Sequence, residues 1–196
     1  MAQESFSHDP TSMRRMRTGL IGLVVFAVFA LLSSAGTSLA ASEEKNALFA
    51  ALKSAKTEQE ARLVEDQIWW FWLGEAPDTE TRHLVDEAMR KRDSYDFEGA
   101  RLLLNDAVKR APDYAEVWNQ RAFILFLQDK LDEALEDADR ALELEPRHFG
   151  ALSGKAHILM RQGRIALGQK ALRQAIEIYP FIKERHMLIE PKGKEL

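Results

Sequence analysis

Residues 115–148 read AEVWNQRAFILFLQDKLDEALEDADRALELEPRH, and Pro146 near the end of this stretch stands 34 residues from Pro112 on one side and from Pro180 on the other. A constant stride of roughly 20–50 residues marks a stack of similar units, each unable to bury its apolar face alone. Aligning on the prolines gives three units, 81–114, 115–148 and 149–182. Small residues recur in register at Ala88, Ala122 and Ala156, at Ala100, Ala134 and Gly168, and at Ala107, Ala141 and Ala175. Larger residues share positions at Leu84, Trp118 and Leu152, and at Leu104, Ala138 and Leu172.

Packing explains the pattern. Each unit reads as two antiparallel helices, in which small side chains let the backbones approach and large ones fill the spaces between ridges. The proline stops the second helix after its last turn. Gly163 can supply the left-handed conformation that ends the first helix of the third unit. The expected fold is all-α: a solenoid of three helix-turn-helix repeats over 81–182, with a helical hairpin cap before it and a short C-terminal helix and tail at 183–196.

The composition narrows the function classes. The chain has 196 residues, 46% of them hydrophobic and 30% charged, so it can build a packed core and is unlike a disordered chain. It has no cysteine, which excludes disulfides, zinc ribbons, iron–sulfur sites and thiol chemistry. A formal charge of −4 argues against a nucleic-acid footprint.

The first forty residues set an address. Arg14, Arg15 and Arg17 precede an uncharged apolar run, Gly19 to Leu32, and small residues follow up to Ala40 and Ala41. This is the anatomy of a secretory signal peptide spanning 1–40, cut after Ala40. Translation can also begin at Met13, which leaves a leader of ordinary length. The alternative is an uncleaved inner-membrane anchor, but the dense apolar run is shorter than the roughly 20 residues that span a bilayer. Either way the positive residues stay cytoplasmic and the rest is exported. A periplasmic location is expected.

Between leader and repeats, 41–80 reads as a helical hairpin carrying an aromatic cluster. Leu48, Ala51 and Leu52 form one stripe, and Thr57 and Glu60 have the spacing of a capping box that opens a second helix. On that helix Ala61, Val64, Ile68 and Phe71 or Trp72 share a face. Trp69, Trp70, Phe71 and Trp72 follow one another and, at 100° per residue, cannot all face one core. One reading makes the hairpin a cap over the end of the stack, packed on the first repeat. The other makes Trp69, Trp70 and Trp72 a contact patch for a partner or a membrane interface. At the far end only a short helix precedes Pro191, a thin cap that leaves room for a homodimer.

The repeats resemble the tetratricopeptide-repeat family across 81–182, with Trp118, Ala122, Leu125, Ala134, Ala141 and Pro146 at the family's signature positions. The third unit departs at Gly168, and the first at Glu87, Lys91 and Arg110, where apolar residues are usual. Together with the leader, the stretches around Trp118-Asn119 and Arg147-His148-Phe149-Gly150 look like small periplasmic members from alphaproteobacteria. That resemblance implies protein–protein interaction in the cell envelope, with support of envelope integrity or membrane-stress tolerance. The alternatives are a self-associating scaffold, or a membrane-anchored assembly factor if the leader is retained.

Catalytic motifs are absent from the sequence. The histidines form no His-x-x-x-His spacing, so no metal site is expected. Gly150 to Lys155 superficially suggests a phosphate loop, but the glycine spacing is short and no Ser or Thr follows the lysine. Acid pairs such as Asp132/Glu133 and Glu136/Asp137 read as solvated partners of Lys130 and Arg140. No cofactor and no enzymatic activity are expected. The family resemblance implies a peptide-binding groove lined by first helices: Arg82, Val85, Met89, Arg92 and Asp93; then Glu116, Asn119, Phe123, Phe126 and Leu127; then Gly150, Ser153, His157, Met160 and Arg161. Phe123, Phe126 and Leu127 lie off the stripe that Trp118, Ala122 and Leu125 bury, so they are either open to a partner or covered by a neighbouring helix.

Overall fold

The computed structural model describes residues 39–189, so residues 1–38 of the leader, the Met13 start and the Pro191 stop lie outside the described residues. From Ala47 onward they form one compact unit. A helix ending at residue 54 (α1) is followed by α2, Glu58–Gly74. The repeats contribute α3 (Thr79–Asp93), α4 (Phe97–Arg110), α5 (Ala115–Leu127), α6 (Leu131–Leu144), α7 (Phe149–Arg161) and α8 (Ile165–Ile178). A 3-10 turn, Lys183–Met187, closes the order, and no strand occurs among the described residues.

The stride survives in atomic detail. The second helices start at 97, 131 and 165 and end at 110, 144 and 178. Each first helix ends on a residue with positive φ: Tyr95 at 64°, Asp129 at 62° and Gly163 at 77°. The following amide then reaches back to the helix, from Asp96 to the Lys91 carbonyl, Lys130 to Leu125 and Arg164 to Leu159, each at 2.9 Å. These bonds satisfy carbonyls that the helix end leaves open. The sequence names glycine for this conformation in one unit only; Tyr95 and Asp129 adopt it because the same bonds demand it.

Neighbouring units interlock through the aligned small residues. Ile124 packs with Ala88, Ala100 and Leu104, and Ile158 packs with Ala122, Ala134 and Ala138. Side-chain bonds repeat with the same stride: Gln128 donates to Glu98 at 3.1 Å and Gln162 to Asp132 at 2.8 Å. Asp137 corrects the solvated-acid reading. It is 4% exposed and accepts two bonds from Arg121, at 2.6 and 2.7 Å, while Arg121 also donates to Asn105. Burial pushes the Asp137 carboxyl above its usual range, and Arg121 opposes that shift.

The hairpin covers the stack along its flank, where the sequence reading placed it over the first end. The last positions of the three units, Tyr114, His148 and Ile182, form a row, and all three are buried. The Tyr114 hydroxyl donates to the Trp72 carbonyl at 3.0 Å, and His148 stacks on the Trp72 ring. Ile182 joins Phe49, Leu52, Ile68 and Trp72 in one apolar cluster. The second helix of the hairpin, α2, is thus a strap that runs counter to the repeats. Leu73 near its end packs on the first unit, while Glu65 near its start accepts a 2.8 Å bond from the Tyr179 hydroxyl in the third. Burying a side chain as large as Trp72 contributes on the order of 2–3 kcal/mol from area alone.

The short C-terminal helix expected after the repeats is the 3-10 turn Lys183–Met187, and it is tied to the third unit. Gln169, 4% exposed, donates to the Met187 carbonyl at 2.9 Å and accepts from the Ile189 amide at 2.7 Å. This pins Met187 and Leu188 onto Ala156, Ala171 and Leu172.

Candidate functional site

The first helices and the strap enclose a trough of about 590 Å³. Its wall comes from Met89 and Arg92 on α3, Asn119, Phe123 and Phe126 on α5, and Gly150, Ser153 and His157 on α7. Its rim comes from Glu65 and Trp69 on α2 and from Ile182, Lys183 and Glu184 beside the 3-10 turn. The structure thus brings together eight of the expected groove residues: Met89, Arg92, Asn119, Phe123, Phe126, Gly150, Ser153 and His157. Phe123 keeps 44% of its surface exposed, so neither the strap nor the next helix covers it.

Seven expected groove residues lie elsewhere. Val85 is fully buried among Ala107, Val108 and Val117, with Leu73 of the strap against that cluster. Arg82 turns away to donate to the Leu73 carbonyl at 3.0 Å and to Asp86 at 2.8 Å. Both corrections have one cause: the strap occupies the start of α3 that an uncovered wall would present. Met160 fills the space between α7 and α8, because Gly168 opposite carries no side chain; a Cβ there would meet the Met160 Cγ at 2.6 Å. Arg161 pairs with Asp129 at 3.1 Å, and Leu127 does not line the trough. Glu116 is 1% exposed beneath the trough, and Asp93 pairs with Arg92 at 2.9 Å without lining it.

The three tryptophans divide as helix geometry requires. Trp72 is buried, Trp70 is 67% exposed with Arg82 over its ring, and Trp69 lines the trough. They are not one contact patch. Trp69 is fixed by edge contacts to Trp72 at 5.2 Å and to His148 and Phe149 at 5.6 Å. Gly150 makes this seat possible, since a Cβ there would fall 2.7 Å from the far edge of the indole.

Beneath the trough runs a chain of polar contacts. Arg92 donates to Gln120 at 3.2 Å, and Gln120 donates to Glu116 at 2.6 Å. Glu116 meets the His148 Nε2 at 2.9 Å. The Ala151 amide donates to the His148 Nδ1 at 3.2 Å, so the ring proton sits on Nε2 and is given to the Glu116 carboxylate. Arg92 is held with its guanidinium 5.7 Å from the Phe123 ring centre. Burial raises the Tyr114 and Tyr179 hydroxyls above their usual range, so both remain donors to the strap.

Chemically the trough offers aromatic and aliphatic surface with a few polar groups. Gly150 to Lys155 lies inside α7, and Lys155 is paired with Asp139, so it forms no phosphate loop. Among the described residues no three His, Cys, Asp or Glu side chains gather to hold a metal ion, and no helix is long and apolar enough to cross a membrane. Sequence reasoning missed Glu65, Lys183 and Glu184, and it missed Trp69 as part of the trough. The bulky row Tyr114, His148 and Ile182 was the available signal, because repeat ends carrying such residues need something to cover them.

Family models for the tetratricopeptide repeat match residues 115–148 and 150–181. A TPR repeat-containing protein of Rhizobium etli is 34% identical over 135 residues, which span 68% of this chain and 65% of that protein's length. Among solved structures, the Sgt2 TPR domain from Aspergillus fumigatus superposes with a TM-score of 0.51 at 20% identity, covering 62% of this chain and 91% of that one. The first TPR of Spaghetti (RPAP3), bound to an HSP90 peptide, gives 0.53 at 16% identity, covering 56% and 88%. At these identities the structures speak for the fold alone. With family models on two of its units and the same stride and turns in all three, this chain is a tetratricopeptide-repeat protein.

Proposed function

We propose that this protein is an exported, non-catalytic interaction module that holds a segment of a partner protein in its trough. Tetratricopeptide repeats mediate protein–protein interaction, and the Spaghetti domain holds a peptide. The observation that carries the reading is the trough itself: about 590 Å³, with Phe123 exposed and with Asn119, Ser153 and His157 placed among apolar walls. A cavity of this size with few polar groups suits a short peptide segment, apolar side chains giving affinity and polar groups fixing register. The test places a photo-crosslinking amino acid at Phe123 in cells, with Leu102, 54% exposed and on α4, as control. A defined partner adduct at Phe123 alone supports the reading, and equal adducts at both sites, or none at Phe123, overturn it.

The cationic cluster, apolar run and small residues of 1–40 support export to the bacterial envelope, where the partner would reside. The likeness to periplasmic members extends this to envelope integrity under membrane stress. Fusing residues 1–45 to a phosphatase that is active only outside the cytoplasm gives activity if the address is right, and none if it is wrong.

A further inference from the structure

Guanidinium groups lie over aromatic rings at many points in this molecule. Arg147 sits 4.2 Å from the Phe49 ring centre and Arg121 5.0 Å from that of Trp118. Inside the trough, Phe123 has Arg92 at 5.7 Å and Phe126 has Arg161 at 5.4 Å. No described cation lies over the Trp69 ring, although it lines the same trough and indole is the best cation acceptor among side chains.

Charge around Trp69 is arranged for a cation. Glu65 lies one helical turn earlier on the same face of α2 and lines the same trough, and Glu184 lines it from the 3-10 turn. The Tyr179 hydroxyl fixes Glu65 by donating at 2.8 Å, and no described cation forms an ion pair with either carboxylate. The neighbouring arginines are engaged elsewhere, Arg62 with Glu58 at 2.5 Å and Arg185 with Glu58 at 3.1 Å, while Lys183 lines the same rim, exposed and in no described ion pair. Arg92 stands on α3 in the first unit, where it repels a basic group.

We propose that the Trp69 end of the trough is a subsite for a basic side chain, arginine or lysine, carried by the partner segment. The cation stacks on the indole and pairs with Glu65 and Glu184, so the segment enters in one direction, its basic residue at the third repeat. This inference rests on the trough being the partner site.

The probes are Nα-acetyl-arginine amide and the uncharged Nα-acetyl-norleucine amide at millimolar concentration. The readout is the indole N–H resonances of the purified, 15N-tryptophan-labelled protein, with Trp69 assigned through Trp69→Phe. The arginine probe is expected to shift the Trp69 signal in a saturable way. Glu65→Gln, which still accepts the Tyr179 bond, weakens that binding roughly tenfold, and Asp66→Asn leaves it unchanged. Equal shifts from both probes, or unchanged affinity in Glu65→Gln, overturn the subsite. Partner adducts at Phe123 that persist while the arginine probe is silent reject the subsite and keep the trough; absence of adducts rejects the trough itself.

Discussion

The His148 imidazole lies face to face with the Trp72 indole, ring centres 3.9 Å apart and planes 11° from parallel. This contact joins the strap to the last residue of the second repeat, and below it His148 gives its ring proton to Glu116. His148→Phe keeps a ring against Trp72 but removes one donor from the buried Glu116 carboxylate, which Gln120 and Asn119 still serve, at a cost of about 1–3 kcal/mol. Glu116→Met in the same chain removes that carboxylate. Chemical denaturation of the four proteins of this cycle should show a double variant more stable than the sum of the single losses, by about 1–3 kcal/mol.

Gly150→Ala tests the Trp69 seat. The new Cβ lands 2.7 Å from the indole edge, so the ring must move, at a cost of about 1–3 kcal/mol. In Trp69→Leu the methyl meets no indole, and Gly150→Ala in that background should cost under about 1 kcal/mol. Equal losses in the two backgrounds would contradict the contact.

Tyr95 holds a left-handed φ of 64° with 82% of its surface exposed, and its ring contact is an edge approach to Phe97 at 6.0 Å. Glycine adopts this conformation without steric cost, so Tyr95→Gly should raise stability by about 0.5–1 kcal/mol. Gly163→Ala, at the equivalent turn, should lower it by about 1 kcal/mol. The denaturant midpoint reads both, at constant slope.

Acid should loosen the strap-to-repeat junction. The Asp78 carboxylate caps α3 by accepting from the Thr81 amide at 2.7 Å, and Arg110 adds a second contact. The amide bond first, and Arg110 after it, hold the Asp78 carboxyl below its ordinary value of 3.8. A lowered folded value contributes stability that is present above pH 3.8 and lost as pH falls through the folded value. Asp137 has the opposite sign, since burial raises it and its contribution fades as pH climbs through the folded value. Asp78→Asn should therefore flatten the fall in melting temperature on acidification, and Asp137→Asn should not.

Much of the fold was legible from local and periodic information. Pro112, Pro146 and Pro180 fix where second helices stop, and the aligned alanines fix where helices approach, because both act within a unit or on its immediate neighbour. The capping box was legible for the same reason: the Thr57 side chain accepts from the Glu60 amide at 3.1 Å, and Glu60 accepts from the Lys56 amide at 2.8 Å. Asp137 was misread, because a charge pattern on one helix cannot show that Arg121 of another will reach it.

The sequence by itself determined the repeat, its stride and where the second helices stop, and the family resemblance named the eight wall residues that the trough retains. Tertiary structure alone decided where the strap lies, and with it which wall positions stay open, which tryptophan faces the trough and which carboxylates rim it. The reason is separation along the chain. Tyr114 meets the Trp72 carbonyl 42 residues away, and Tyr179 meets Glu65 across 114 residues. Such contacts follow from the fit of two finished surfaces, which no spacing within either segment encodes.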